Sequence, residues 1–160
     1  MRAEFESARH DYPNNGGTMM WMFNDCWPTS NWSIIQYDKT PKPSFYAAKR
    51  ACSAVLPIVF ERGGLIDFSV SNHTLSDCSV TVKYGVRTLK GELKLEKTAQ
   101  ILVKAIENAV FDRIKKDDIA CSDDEYIFID AVCDNICLDS VSYFPNMWKD
   151  VKFEKSDVDF

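Results

Sequence analysis

Two different hydrophobic patterns divide the chain. In residues 19–23, Met-Met-Trp-Met-Phe, both alternating sets of side chains are apolar, which predicts a short strand buried on both faces. The apolar run ends at Asn24-Asp25. From Ile58 onward, short apolar and polar alternations are separated by turn residues, a pattern typical of an all-β sandwich.

The second pattern predicts about seven strands of an immunoglobulin-like β-sandwich, so the fold class is mainly β. The predicted strands are 65–71, 79–86, a strand beginning at 93–95, 101–103, 109–111, 126–132 and 136–144. Val80, Val82 and Tyr84 are expected to face one core, and Asp134-Asn135 is the expected turn between the last two strands. The acidic stretch 117–125 predicts a solvated loop, and its spacing does not follow a calcium-binding pattern.

Two helices are predicted before the sandwich. Residues 2–9 have mixed charges that indicate a short exposed helix, with Glu4 and Glu6 in solvent. A second helix is expected to begin near Ser44 as its N-cap and to end at Leu56-Pro57.

The residues that follow the first apolar run have side chains suited to sugar binding. In a β/α barrel, polar residues just past the C-terminal end of a strand point into the ligand site, which would place Asn24 and Asp25 there. Indole rings such as that of Trp21 pack well on the apolar faces of sugars. The alternative interpretation is that this aromatic cluster is simply a hydrophobic core.

A longer ordered pattern carries a family resemblance. It consists of Gly17-Thr18, Trp21-Met22-Phe23-Asn24-Asp25-Cys26-Trp27-Pro28, Asn31-Trp32-Ser33, Tyr37 and Pro41-Lys42-Pro43-Ser44-Phe45-Tyr46-Ala47-Ala48-Lys49-Arg50. This pattern resembles the β-mannosidase branch of glycoside hydrolase family 2, and related exo-β-glucosaminidases carry a close variant. In that family it forms the eighth strand of the catalytic barrel, the loop after it and the last barrel helix.

The resemblance implies a division of the chain and roles for three residues. Residues 1–54 would be the last β/α unit of a (β/α)8 barrel, and 55–160 the Ig-like domain that follows it. Trp21 would form the floor of the subsite for the non-reducing sugar, with Asn24 and Asp25 at its rim. The expected partner is a β-mannoside-type oligosaccharide bound by the full-length enzyme.

The resemblance also implies that the chemistry lies outside this chain. Family 2 enzymes are retaining glycosidases that use two glutamates, both upstream of the quoted pattern. A whole barrel needs on the order of 250 residues, and the chain has 160. We therefore assign no catalytic residue and expect the chain alone to be inactive. The unpaired barrel strand is expected to pack on the sandwich, to pair with a second copy or a companion chain, or to be poorly ordered.

Composition narrows the remaining classes of function. The net charge is −5 and no basic patch is present, which argues against a nucleic-acid partner. No apolar run is long enough to span a membrane, and no signal peptide is recognisable, so we expect a cytoplasmic protein.

The cysteines and histidines suggest no metal site or cofactor. The six cysteines lack metal-ligand spacing and are expected to be reduced thiols, while His10 and His73 are expected at the surface or in turns. A different class of function stays open, in which the sandwich acts alone as a carbohydrate-binding or protein-interaction module.

Overall fold

The computed structural model describes residues 2–133 and 136–153. The elements are, in chain order, α1 (Arg2–His10), α2 (Pro43–Ala51), β1 (Val55–Arg62), β2 (Leu65–Asn72), β3 (Cys78–Thr88), β4 (Leu93–Val103), β5 (Glu107–Lys115), α3 (Lys116–Ile119), β6 (Glu125–Cys133) and β7 (Ile136–Tyr143). The predicted turn at Asp134-Asn135 lies outside the described residues. No helix in the described part of the chain is long and apolar enough to cross a membrane.

The strands form two antiparallel sheets, one with the order β1-β2-β5 and the other with the order β4-β3-β6-β7. In β3, the predicted inward residues Val80, Val82 and Tyr84 are buried, whereas Thr81 and Lys83 between them are exposed. This period of two is what a strand with one face in a core requires. The mainly β sandwich predicted from the alternation is therefore confirmed.

An aromatic trio joins the two sheets. Phe68 on β2 lies 4.9 Å from Tyr84 on β3 and 6.4 Å from Phe111 on β5, measured between ring centroids. The Tyr84 hydroxyl donates a 2.9 Å hydrogen bond to Asp112. Burial, together with this carboxylate partner, raises the pKa of Tyr84 to about 12.

The first strand and the second helix differ from the sequence-based expectation. Pro57 does not end a helix, because α2 has already ended at Ala51, and it lies in β1 at the edge of its sheet. An edge strand tolerates proline, which has no N–H to contribute to the ladder. The helix begins at Pro43 with Lys42 as its N-cap, not at Ser44, since proline suits the first helical position.

Three further expectations about the sandwich need correction. The predicted strands 93–95 and 101–103 are two ends of one long strand, β4, and Glu107 and Asn108 lie within β5 instead of separating strands. The predicted acidic loop contains the short helix α3. β4 and β5 are mostly exposed or half-buried along their length, so apolar and polar residues do not alternate strictly in them.

Helix α1 forms as predicted, but two of its side chains are not where they were expected. Glu6 is buried, where it accepts a 2.6 Å hydrogen bond from Arg2, and its burial raises the pKa of its carboxyl. His10 is not a surface residue either: it stacks on Phe60 at 4.4 Å and lies 3.1 Å from Asp67. Both expectations failed because α1 packs on the outer face of β1 and β2 instead of lying in solvent.

Arg9 connects α1 by hydrogen bonds to the end of α2 and to β2. Its buried guanidinium donates hydrogen bonds to the carbonyls of Ala51, Ala54 and Ser71 at 2.9, 3.3 and 3.1 Å, and also to that of Ser53. These carbonyls belong to the end of α2, the connection to β1, and β2. Burial lowers the pKa of Arg9 to about 10. One cation thus satisfies backbone acceptors where three elements meet.

Candidate functional site

The candidate site lies in residues 17–42, named here the tryptophan segment. The predicted strand at 19–23 is wrong as a regular strand, since the segment contains only isolated bridges from Asn24 to Ile35 and from Ile35 to Pro41. In the described part of the chain, no strand pairs with residues 19–22. A strand is stable only when its backbone groups find partners in neighbouring strands.

A small backbone network shapes the segment instead. The Phe23 carbonyl accepts hydrogen bonds from the N–H groups of Ile34 and Ile35, both at 3.1 Å. The Ile35 carbonyl accepts a 3.0 Å bond from Asp25, and the Ile34 carbonyl a 2.9 Å bond from Lys42. The chain therefore returns past residues 23–25 just before α2 begins.

The large aromatic side chains of the segment face solvent. Trp21 is 82% exposed, Trp32 78% and Trp27 66%, and Phe23 and Tyr37 are also exposed. The interpretation of this cluster as a hydrophobic core is wrong for the described structure. Met20 and Met22, between these exposed residues, are half-buried, and the pairing of residues 19–23 with another chain stays a prediction. Large exposed apolar patches are typical of surfaces that contact another protein or a ligand.

Asp25 is the exception, because its side chain is buried. Only 2% of the residue is exposed, and its Oδ2 accepts a 2.8 Å hydrogen bond from the Lys42 ammonium. Lys42 also donates to Ser33 Oγ at 2.7 Å and to the Asn31 carbonyl at 3.0 Å. The hydrogen bond from Lys42 lowers the pKa of Asp25, so this carboxylate is an anion that ties the loop to the start of α2.

Asp25 nevertheless keeps one unused acceptor. Its Oδ1 is buried and has no hydrogen-bond partner within the described structure. Asn24, beside it, is exposed, and its side-chain amide donates a 3.1 Å bond to the Asp25 carbonyl.

Two of the three predicted site residues line one open depression of about 520 Å³. Its walls are formed by Phe23, Asn24, Asp25, Cys26, Ile35, Gln36, Tyr37 and Lys39. Trp21 is not among them, so the structure brings Asn24 and Asp25 together and leaves Trp21 outside their depression. The roles of these three residues in sugar binding stay predictions.

Lys42 and Ser33 are the residues that sequence reasoning did not single out. A signal for Lys42 was present: a lysine immediately before a helix faces the positive end of the helix dipole, which is unfavourable unless a carboxylate compensates. Asp25 supplies that carboxylate. No comparable signal marks Ser33, whose role depends on the folding of the loop.

Within residues 2–133 and 136–153, no three His, Cys, Asp or Glu side chains are grouped so that they could hold a metal ion. The structure contains all six cysteines as thiols, and their redox state in the cell stays a prediction. Asn72, in a sequence that matches a glycosylation site, is fully buried, and its amide donates to the carbonyls of Ser76, Val103 and Lys104. It is a structural residue that closes one end of the sandwich.

Comparison with solved structures defines the class of protein. The β-D-mannosidase from Dictyoglomus thermophilum superposes with a TM-score of 0.82 at 26% identity, over 89% of this chain and 18% of that one. The exo-chitosanase CsxA from Amycolatopsis orientalis superposes with a TM-score of 0.73 at 21% identity, over 89% of this chain and 17% of that one. At 21% identity, the superposition on the exo-chitosanase shows only that the two proteins share this fold. The chain has the architecture of a domain found in glycoside hydrolases.

Curated sequences make the relationship more specific. Beta-mannosidase B of Aspergillus terreus is 48% identical over 40 residues, which are 25% of this chain and 5% of that protein. Beta-mannosidase B of Emericella nidulans is 54% identical over 35 residues, which are 22% of this chain and 4% of that protein. No protein-family profile matches the chain. The matched region is about a twentieth of these relatives, and the comparisons confirm the resemblance to the C-terminal part of a glycoside hydrolase family 2 β-mannosidase.

Proposed function

We propose that this chain is the C-terminal part of a β-mannosidase-like retaining glycosidase that hydrolyses terminal β-linked mannose. The exposed tryptophan segment carries the proposal, because its large apolar side chains lie on the surface while the adjoining sandwich has a complete core. Such a surface is explained when the other strands of a catalytic barrel cover it. In that assembly, Trp21 would contact the sugar and Asn24 and Asp25 would form the rim of its subsite.

We expect the chain alone to be inactive. A retaining mechanism needs one carboxyl group as acid and base and a second as nucleophile, about 5 Å apart. Asp25, the carboxylate at the candidate site, is buried against Lys42, and one carboxylate cannot supply both roles. The two glutamates are proposed to lie in the remainder of a longer, cytoplasmic polypeptide.

The proposal is tested by the size and activity of the native polypeptide. An antibody raised against residues 55–160 should detect, in source cells, a band several-fold larger than the 18.3 kDa of this chain. The immunoprecipitate should hydrolyse p-nitrophenyl β-mannoside, and p-nitrophenyl β-glucosaminide serves as the competing substrate. A single band near 18 kDa without β-mannosidase activity contradicts the proposal. Preferential cleavage of the glucosaminide would move the assignment to the related exo-β-glucosaminidases.

The inactivity of the isolated chain needs its own experiment. Purified recombinant chain should release no p-nitrophenol from the β-mannoside above the buffer blank. Hydrolysis that disappears in a Trp21→Ala variant and persists in a Trp148→Ala variant would show that the chain carries a complete site after all.

A second candidate function, a stand-alone carbohydrate-binding module, is favoured by one observation. Near the C-terminal end of the described residues, Trp148 and Phe153 stack at 5.9 Å with 12° between their planes, and Phe144 lies 4.7 Å from Trp148. Trp148 is 68% exposed. Stacked, solvent-facing rings of this kind can receive the apolar face of a sugar.

Calorimetry separates the two candidates. If the module binds sugar, titration of the whole chain with a β-mannan oligosaccharide should give heat that Trp148→Ala abolishes and Trp21→Ala does not. The absence of heat with the unmodified chain would remove this candidate and leave the first.

A further inference from the structure

Two cysteines on adjacent strands of the larger sheet have their sulfur atoms in contact. Cys78 begins β3 and Cys133 ends β6, and the two Sγ atoms are 3.0 Å apart. The antiparallel register pairs Val80 with Cys133, so Cys78 lies two residues further along and on the same face of the sheet. A disulfide bond is about 2.05 Å long, so an approach of about 1 Å would join the sulfurs.

We propose that Cys78 and Cys133 are a redox-sensitive pair that closes to an intramolecular disulfide under oxidising conditions. The inference is independent of the proposed glycosidase role, since it depends only on the sandwich. Both side chains are half-buried and packed against the hydrophobic core, so the pair lies inside one end of the sandwich.

Two of the other cysteines, Cys137 and Cys121, are poorly suited to compete for this pairing. Cys137 is the nearest competitor in sequence, but its register partner is Val132, which is exposed like Cys137 itself. Adjacent positions on a strand point to opposite faces, so Cys137 lies outside the sheet while Cys133 points inward. Burial raises the pKa of Cys121 to about 11, which leaves that thiol unreactive near neutral pH.

The oxidant is a low-molecular-weight disulfide of the glutathione type. The thiolate of one cysteine attacks a sulfur of glutathione disulfide, forming a mixed disulfide and releasing one glutathione thiolate, which takes up the proton lost by the cysteine. The second cysteine, as its thiolate, attacks the protein sulfur of the mixed disulfide and releases the second glutathione. Two protein thiols are oxidised, one glutathione disulfide is reduced, and an excess of reduced glutathione reverses the reaction.

The cross-link would connect two strands that are distant in sequence. It would close a loop containing the rest of β3, all of β4 and β5, and most of β6. A loop of this length loses much conformational freedom in the unfolded chain, so the disulfide is expected to stabilise the fold. It would also fix the end of the sandwich where Cys78 pairs with Val103, whose carbonyl accepts a hydrogen bond from Asn72.

The experiment equilibrates the purified 160-residue chain in oxidised and in reduced glutathione buffers, followed by acid quenching and alkylation in denaturant. In the oxidised buffer Cys78 and Cys133 should both become protected from alkylation without carrying a bound glutathione. A non-reducing peptide map should then show one cross-linked species, joining the peptides of Cys78 and Cys133. Tm should rise by about 5 to 15 °C relative to the reduced chain.

Three variants complete the test. Cys78→Ser and Cys133→Ser should each abolish the cross-link and the rise in Tm, whereas the matched control Cys137→Ser should retain both. Retention of the Cys78 and Cys133 thiols by the unmodified chain, or a cross-link joining Cys133 to Cys137, would overturn the proposal. The peptide map of the unmodified chain decides the question even if a serine variant fails to fold.

Discussion

Phe68 in β2 and Trp21 in the tryptophan segment both belong to short runs predicted as strands, yet Phe68 is completely buried and Trp21 is largely exposed. The neighbours available to each run explain the difference. β2 pairs with β1 and β5 and is covered by the second sheet, whereas residues 19–22 have no paired strand in the described structure. An apolar run is therefore buried only where neighbouring elements supply a complementary surface.

The two regions also depend on different interactions. The sandwich combines continuous hydrogen-bonded ladders with a shared core, so its residues should unfold together. The tryptophan segment depends on a few backbone hydrogen bonds and on the contacts of Lys42. Segments with few buried apolar contacts open locally at lower free-energy cost than the whole fold. We therefore expect changes in the sandwich to lower the free energy of global unfolding. Changes in the tryptophan segment should affect only local opening.

The largest contrast should come from truncating one aromatic residue in each region. Phe68→Ala removes a ring that contacts Tyr84 and Phe111, and it should lower the free energy of unfolding by about 3 to 5 kcal/mol. Trp21→Ala should change the free energy of unfolding by less than about 0.5 kcal/mol, because the exposed indole makes few buried contacts that the substitution could remove. Urea unfolding of the two variants measures both values. A similar loss in both variants would show that the tryptophan segment shares the core.

A glycine substitution tests how closely β3 and β4 must approach each other in the sandwich. Gly85 has φ +154°, and a Cβ at this position would lie 1.9 Å from the Leu95 carbonyl oxygen in the next strand. Gly85→Ala should therefore cost about 2 to 4 kcal/mol in urea unfolding, since backbone atoms must move. Gly91→Ala is the matched control, with φ +87° in open space, and should cost about 1 to 2 kcal/mol. Equal losses of unfolding free energy in the two variants would mean that the backbone of β3 and β4 moves apart at little cost to accommodate a Cβ at position 85.

The pairing of β2 with β5 should be sensitive to pH, because Asp67 and Arg113 face each other across these two strands. Arg113 donates two hydrogen bonds to the Asp67 carboxylate. These bonds lower the pKa of Asp67 below 3.8, the usual value for an aspartate side chain. Because the folded state binds this proton less readily than the unfolded state, the stabilisation is present above pH 3.8 and lost as pH falls through the lower folded pKa. Asp67→Asn should cost about 1 to 2 kcal/mol at pH 7, a modest value because Arg113 is partly exposed.

The corresponding measurement is urea unfolding at several pH values. The difference between the unmodified chain and Asp67→Asn should shrink as pH falls below 3.8. Asp123→Asn is the control, because the ion pair of Asp123 with Lys152 is exposed and should contribute little at any pH. A difference for Asp67→Asn that stays constant down to pH 3 would assign the effect to packing instead of charge.

The sequence could predict the sandwich because alternation reports a local property of each strand. The inward positions of β3 were recognisable from their period of two, without any knowledge of the partner strands. β1 was missed because Leu56-Pro57 has the local signature of a helix end, and only the position of β1 at a sheet edge makes proline acceptable there. Residues 19–23 have the sequence of a buried strand but lack the neighbours that would make them one.

The candidate site was less predictable for a related reason. The resemblance identified the segment, but it did not indicate that Asp25 is buried against Lys42 while Trp21 is exposed. These details depend on how residues far apart in sequence approach one another. The expectation that Glu6 is solvated failed in the same way, since its burial depends on where α1 packs.

The smallest expected effect on global stability, and the most local one, concerns Lys42. Lys42→Met removes the ammonium that bonds Asp25, Ser33 and the Asn31 carbonyl, leaving a buried carboxylate without its cation. The urea midpoint should stay unchanged, while amide exchange at Asp25, which donates to the Ile35 carbonyl, should accelerate about tenfold or more. Lys39→Met, at an exposed lysine of the same segment, should alter neither quantity. A lowered midpoint in Lys42→Met would mean that the segment and the sandwich unfold as one unit, and the distinction between the two regions would then fail.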